Sequence, residues 1–217
     1  KAMKPKYYNN VIINDILKEG KKENYKCIYL EISFDENAKI IIPSYFHLAD
    51  IKVTLNRKLN NLYSNIPENI TTKIKDEYFP YLENIAKEIS KKSRYVVDNM
   101  FGKKIAERLY KKWIYNSFYE NYCNKIFIYL YNKLPLGFLT LKIKKNIPYI
   151  DLIGVKDELK GKDAAKELII AASNYCFDNG YNEIKVITQG NNIEAMRFYE
   201  KNGFRILKVN IFYHIWL

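Results

Sequence analysis

Apolar positions along the chain switch their period several times, and each switch marks an element. "YKCIYLEIS" alternates as a strand over about residues 25–33, and "LADIKVTLNRKL" does so over about 48–57, with Ile51, Val53 and Leu55 on one face. A short helix is expected before them, at about 8–19, and "ENAKIIIPSYF" suggests a brief helix interrupted near Pro43. "YLENIAKEISKKS" and "KKIAERLYKKWIYNSFYENY" repeat at helical spacing, the first placing Leu82, Ile85, Ala86 and Ile89 on one side, the second Ile105, Leu109, Trp113 and Phe118. Three strand-like runs follow, "KIFIYLYN", "LGFLTLKI" and "PYIDLIGV", with connections short enough for an antiparallel meander. "KDAAKELIIAASNYCFDNG" returns to helical period with Ala165, Leu168, Ile169, Ala172 and Cys176 on its stripe; then come strand "NEIKVITQ", helix "NNIEAMRFYEKNG" and a closing β segment "FRILKVNIFYHIWL".

This order predicts an α/β fold. The meander supplies antiparallel pairs, and a strand joined through a helix to the next strand requires a parallel neighbour, so the sheet is mixed but mostly antiparallel and flanked by helices. Residues 1–60 read as a small N-terminal α/β unit. Residues 61–82, with Pro67 and Pro80 among many Asn and Thr, read as a linker, and 83–217 as the main domain.

Composition narrows the function classes. With 48% hydrophobic residues, the 217-residue chain can bury a sizeable core unaided. No apolar run reaches the roughly eighteen residues of a membrane span, the first residues are polar, and a cytoplasmic protein without a signal peptide is expected. Cys27, Cys123 and Cys176 are odd in number and set in apolar segments, which suits buried reduced thiols rather than disulfides or a metal site. His47 and His214 likewise sit in apolar contexts that favour packing. The net charge of +12 favours an anionic partner such as a phosphate-bearing cofactor, a nucleotide sugar or nucleic acid. The lysines are scattered rather than clustered in a stripe, which argues against nucleic acid.

Candidate chemistry concentrates at the joint "DLIGVKDELKGKDAAKEL", Asp151 to Leu168. A loop with one glycine, small residues and Lys156, Lys160, Lys162 and Lys166 leads into a helix whose first amides carry partial positive charge, a suitable seat for a pyrophosphate. The same pattern also occurs in ordinary solvated connections.

Here the chain resembles the GNAT superfamily of N-acetyltransferases. Their acetyl-CoA segment has Val ahead of an Arg/Gln-x-x-Gly-x-Gly/Ala loop, matched by Val155 and "KGKDAA" with Lys160 at the basic position and Ala165 at the last small one. Their later signature, Asn-x-x-Ala-x-x-x-Tyr-Glu-Lys-x-Gly-Phe, is complete as Asn192, Ala195, Tyr199, Glu200, Lys201, Gly203 and Phe204. Asp163 departs from the family's first loop glycine; it is expected to serve as the N-cap of the following helix.

The resemblance implies transfer of an acetyl group from acetyl-CoA, as cosubstrate, to a primary amine. It assigns Ile153, Gly154 and Val155 to the pantetheine arm, one of their amides to the oxyanion, Gly154 to a bulge, and Lys160, Gly161, Lys162, Asp163, Ala164 and Ala165 to the pyrophosphate. Asn192 would cap the last helix beside the cofactor, and Tyr199, about 10 Å farther along that helix, would protonate the leaving sulfur. No metal is implied. Asp151 is one option for a base, and a solvated strand end is another.

A looser similarity, carried by "IKVTLNRKL" (Ile51 to Leu59) and "SRYVVDNMFGKKIAERLYKKWIYNSF" (Ser93 to Phe118), is to TDP-fucosamine acetyltransferase-like nucleotide-sugar N-acetyltransferases. It implies a nucleotide-linked amino sugar as acceptor, with Arg94 available to a phosphate. The alternatives are a protein or small-molecule amine, or a catalytically impaired binding module in which Asp163 has spoiled the site. A homodimer stays open as the assembly.

Overall fold

The computed structural model describes residues 10–34, 44, 46–60 and 67–217. The expected break near Pro43 and the first part of the expected linker lie outside the described residues.

Among the described residues, eight strands form one sheet. They are β1 (Cys27–Ser33), β2 (His47–Lys58), β3 (Ile70–Thr71), β4 (Lys125–Tyr131), β5 (Leu134–Lys144), β6 (Ile147–Val155), β7 (Glu183–Gln189) and β8 (Arg205–Trp216). Their spatial order is β1-β8-β2-β7-β6-β5-β4-β3, with every pair antiparallel except β6–β7. The mixed sheet expected from the element order is therefore present. The β4–β5 and β5–β6 turns each place both central residues at positive φ, Asn132 with Lys133 and Lys145 with Asn146. That conformation matches strand twist in two-residue hairpins.

The helices are α1 (Asn10–Lys22), α2 (Phe79–Ser90), α3 (Arg94–Val97), α4 (Gly102–Tyr119), α5 (Ala164–Asp178) and α6 (Ile193–Lys201). On one face α2 and α4 bury Leu82, Ile85 and Ile114 against Ile128, Phe138 and Leu152. On the other, α5 and α6 close over Leu55, Leu139, Leu141 and Val186 with Leu168, Ile169, Tyr199 and Phe204. A third cluster joins Ile13 of α1 to Leu30, Ile32 and Ile215.

β2 lies between β7 and β8, so strands expected of the 1–60 unit are hydrogen-bonded into the sheet of 83–217. The reason is patterning: Val53 and Leu55 are apolar toward α5 and α6 and complete that core. Ile51, expected on the same face, is exposed.

Two helix faces differ from expectation by a small rotation. α4 buries Ala106, Tyr110, Ile114, Ser117 and Phe118, while Ile105 is exposed and Leu109 and Trp113 are only partly covered. Apolar and aromatic residues surround this helix on most sides, so its periodicity did not select one stripe. α5 buries Ala164 fully and Ala165 only in part.

Candidate active site

The parallel pair β6–β7 is hydrogen-bonded only at Tyr149–Lys185 and Ile150–Val186. Beyond these positions β6 stays paired to β5 as far as Val155, and β7 stays paired to β2 as far as Gln189. The two strands therefore part in the middle of the sheet and leave a gap.

A β-bulge drives the parting. The β5–β6 register shifts between Thr140 opposite Leu152 and Leu141 opposite Ile150, which leaves Asp151 as the extra residue. The Thr140 hydroxyl accepts from the Leu152 N–H at 3.0 Å across the irregularity. A bulge bends its strand and breaks the alternation of its side chains. Accordingly Ile150 joins the α5-side core and Leu152 the α2-side core, although both would share one face in a regular strand. The bulge expected at Gly154 thus lies at Asp151.

Gly154 has a different use. A Cβ there would meet Ile85 Cγ2 at 2.7 Å and Ile89 Cγ2 at 2.9 Å, so its bare backbone is what lets α2 lie on the strand. The Lys156 N–H donates to the Leu136 carbonyl at 2.8 Å, which fixes the parity of the ladder. Gly154 then turns its amide to β5, while Ile153 and Val155 turn theirs into the gap.

β6 runs into a loop and then into α5. Gly161 and Asp163 both have positive φ, 78° and 57°. Asp163 occupies the N-cap position, yet its side chain makes no cap hydrogen bond and its backbone is left-handed. The expected side-chain cap is therefore absent, because a left-handed cap residue turns its Cβ away from the helix end. The carboxylate is 70% exposed and lies 3.9 Å from the Lys166 ammonium. This also explains the position: it needs positive φ, which glycine adopts freely and Asp tolerates better than most residues.

The first N–H groups of α5 have no partner within the helix and face the loop with the helix dipole behind them. Lys160 pairs with Asp157 at 2.8 Å, and Lys162 lies 5.4 Å from the centre of the Tyr131 ring. A bound pyrophosphate fits this end: free amides, three nearby lysines and a carboxylate that points to water. A cavity of about 120 Å³ lies beside it, lined by Ile85, Glu88, Val155, Lys156 and Asp157.

α6 begins opposite. The Asn192 side chain accepts from the Ala195 N–H at 3.2 Å, the cap expected of it. The helix closes with Gly203 at φ 82°, the Phe204 N–H on the Tyr199 carbonyl and the Gly203 N–H on the Glu200 carbonyl, both 3.0 Å, a Schellman ending. Tyr199 is 5% exposed, its ring packed against Phe198 and Phe204. Burial pushes its hydroxyl pKa well above the ordinary tyrosine value, which keeps it protonated at neutral pH.

On the opposite face a polar group gathers under α3 that the motifs did not point to. Asp50 of β2 is 8% exposed. Burial raises its pKa to about 6, against the pull of Arg94, the Ile51 amide, Lys52 and the Gly190 amide. The Arg94 guanidinium lies 4.4 Å from the Phe212 ring centre and 4.7 Å from that of Tyr95, and donates to the Tyr95 hydroxyl at 2.8 Å. Its Nε is buried with no partner among the described residues. Asp151 is 3.6 Å from Lys144, at the inner end of the gap.

Farther along β8, His214 is fully buried, with Nδ1 2.6 Å from Asp98 Oδ2. The same oxygen accepts from the Trp216 indole at 3.1 Å, and Tyr29, Tyr95 and Phe101 surround the imidazole. This is the packing role expected of it; His47 is exposed. All three cysteines are free, Cys176 buried and the other two partly so. Among the described residues no group of three or more metal-ligating side chains occurs, and no helix is long and apolar enough to cross a membrane.

Comparison with known proteins agrees with this geometry. The family model described as acetyltransferase (GNAT) family matches residues 84–204, from α2 to the end of the α6 signature. The spore coat polysaccharide biosynthesis protein SpsD of Bacillus subtilis is 26% identical over 132 residues, 61% of this chain and 45% of that protein. The chain thus spans less than half the length of this relative. A functionally unknown conserved protein from Staphylococcus epidermidis superposes with a TM-score of 0.65 at 15% identity, covering 98% of this chain and 82% of its own. The PaiA N-acetyltransferase of Thermoplasma acidophilum, solved in complex with coenzyme A, gives 0.56 at 20% identity, covering 68% of this chain and 98% of its own. The family match spans more than half of the chain and contains both the parted strands and the capped helix: the chain belongs to the acetyltransferase (GNAT) family.

Proposed function

We propose that this protein transfers the acetyl group of acetyl-CoA to a primary amine, and that the amine is carried by a nucleotide-linked sugar. The observation that carries the reaction is the parted β6–β7 pair, with the Ile153 and Val155 amides turned into the gap and the amide-rich start of α5 at its open end. An extended pantetheine arm can pair with such an open strand edge while its pyrophosphate rests on the helix start. When bound, acetyl-CoA supplies an activated acyl carbon and a thiolate leaving group.

The chain's own residues supply the rest. An amide of the Ile153–Val155 segment donates to the oxygen that gains charge, and being fixed in a strand it needs no reorganisation. Tyr199 returns a proton to the sulfur. Its raised pKa makes it a dependable proton carrier but a weak acid, so its share is on the order of 10²-fold.

Two features support a sugar-nucleotide acceptor. The relative SpsD is described as a polysaccharide biosynthesis protein. Arg94, held against the Tyr95 and Phe212 rings with a bare buried Nε, offers a fixed cation to an acceptor phosphate. Thiol release from acetyl-CoA, measured with nucleotide-linked amino sugars, free amino sugars, polyamines and lysine peptides, tests both levels. Turnover with the first class alone is the expected result. Absence of any acetyl-CoA-induced thermal shift would overturn the reaction itself, and turnover with another class would overturn the acceptor.

A further inference from the structure

We propose that Asp50 is the base that takes the proton from the attacking amine, an inference that rests on the acetyl-transfer reading above. Three placements lead to it. First, β2 sits beside β7, whose far side borders the gap, and Gly190, just beyond the end of β7, donates to the Ile51 carbonyl next to Asp50. Asp50 thus stands one strand in from the gap, beside the end of β7, with its neighbour Ile51 held by a backbone hydrogen bond from Gly190. Second, Asp50 does not share the face of Val53 and Leu55, which pack toward Tyr199; it faces α3, which packs on β2, and α4. Base and proposed acid thus stand on opposite faces of the sheet. Third, the buried Tyr110 of α4 lies within electrostatic reach of both Asp50 and Asp151, so the two carboxylates look onto the same helix.

Asp151 is the competing carboxylate, and its surroundings decide against it. Lys144 stands 3.6 Å away and holds it in an ion pair rather than leaving it open to an amine. The charged and titratable groups that act on Asp50 are Arg94 from α3, Lys52 from its own strand and Tyr110 from α4, with Phe212 opposite it on β8. Lys52 is itself held by Glu31 of β1 at 2.9 Å, which leaves burial as the dominant influence and a proton affinity suited to neutral pH.

The proton balance closes. An ammonium acceptor loses two protons on becoming an amide: one goes to water before attack, the other to Asp50 as the N–C bond forms; Tyr199 protonates the sulfur and is reprotonated from water, so one proton is released net. The N–C bond forms as the C–S bond breaks, with no redox change.

The test compares pH profiles of kcat/KM for wild type and Asp50→Asn, using the amine that turns over in the assay above and acetyl-CoA thiol release. The wild-type profile is expected to rise with a midpoint near about 6, and Asp50→Asn to lose roughly 10²-fold at neutral pH and to recover as the amine deprotonates by itself. Asp50→Glu should restore part of the rate with the midpoint still present. Asp50→Asn activity within about threefold of wild type, on an unchanged profile, would overturn the assignment while leaving the acetyltransferase reading intact. A wild-type chain inert toward every amine overturns both. Should Asp50→Asn fail to fold, carboxyl carbon NMR of the wild-type protein decides: a titration near about 6 supports Asp50, and a midpoint in the ordinary aspartate range overturns it.

Discussion

Gly154 and Ile85 approach so closely that a single methyl group cannot be placed between them: a Cβ on Gly154 would lie 2.7 Å from Ile85 Cγ2. Ile89 Cγ2 would lie 2.9 Å from the same atom, so two side chains of α2 would have to give way. Gly154→Ala is therefore expected to destabilise the fold by about 1–3 kcal/mol through overpacking. It should also raise the KM for acetyl-CoA, because lifting α2 disturbs the strand whose amides face the gap. Thermal denaturation and a KM measurement on the same preparation check the two effects together.

Asp163 stands where the family's loop has glycine, and it takes glycine's backbone conformation. Asp163→Gly should thus leave stability nearly unchanged or slightly improved, and it removes a negative charge from the pyrophosphate end. At an intermediate dielectric this is worth about 1 kcal/mol, or about fivefold tighter acetyl-CoA binding. Asp163→Val, which cannot hold positive φ without strain, should destabilise and weaken binding. Titration calorimetry with coenzyme A measures all three proteins.

Lys92, after α2, and Glu194, in the first turn of α6, form an ion pair that joins the two faces of the molecule at the open end of the gap. Glu194 also acts on Lys160 of the pyrophosphate loop. Both side chains are more than half exposed, so the pair adds little stability, about 0–1 kcal/mol. Its larger expected effect is on entry. Glu194→Gln should lower the KM for acetyl-CoA about two- to fivefold without changing kcat, and the difference from wild type should shrink at high salt.

Two buried groups give the stability opposite dependences on pH. Burial depresses the His214 pKa below its unfolded value of 6.5, so the unfolded chain binds the proton first and stability falls as pH drops through that value. Asp50 behaves in reverse: its folded pKa, about 6, exceeds the unfolded 3.8, so its contribution is full below 3.8 and is lost as pH rises through 6. Asp50→Asn should therefore be more stable than wild type near pH 8, by up to about 3 kcal/mol and less after relaxation, with the advantage vanishing near pH 4. Urea denaturation at the two pH values gives the sign directly.

Local chemistry was legible where it is written in adjacent residues. The Asn192 cap, the Gly203 stop, the meander and the helix after "KGKD" all follow from short-range rules, and all are present. The sequence suggests a side-chain cap at Asp163 because residue type alone does not report the sign of φ. Gly154 suggests a bulge because glycine permits one, whereas the bulge's position is set by the register of β5 against β6, a relation between strands. Nothing in "LADIKVTL" marks Asp50, for a similar reason. Its burial comes from α3, whose residues lie far along the chain, and an acid in an alternating strand otherwise reads as solvated.

The central place of β2 has a consequence for how the chain comes to exist. Its two sheet neighbours, β7 and β8, are the last strands of the described fold. During synthesis β2 emerges early and must remain unpaired, with Val53 and Leu55 exposed, until nearly everything after it has been made. Pairings of such long sequence separation close slowly. The segment that carries Asp50 would thus be among the last to dock, and a chain halted before β8 would hold the acetyltransferase motifs without the strand that completes their sheet.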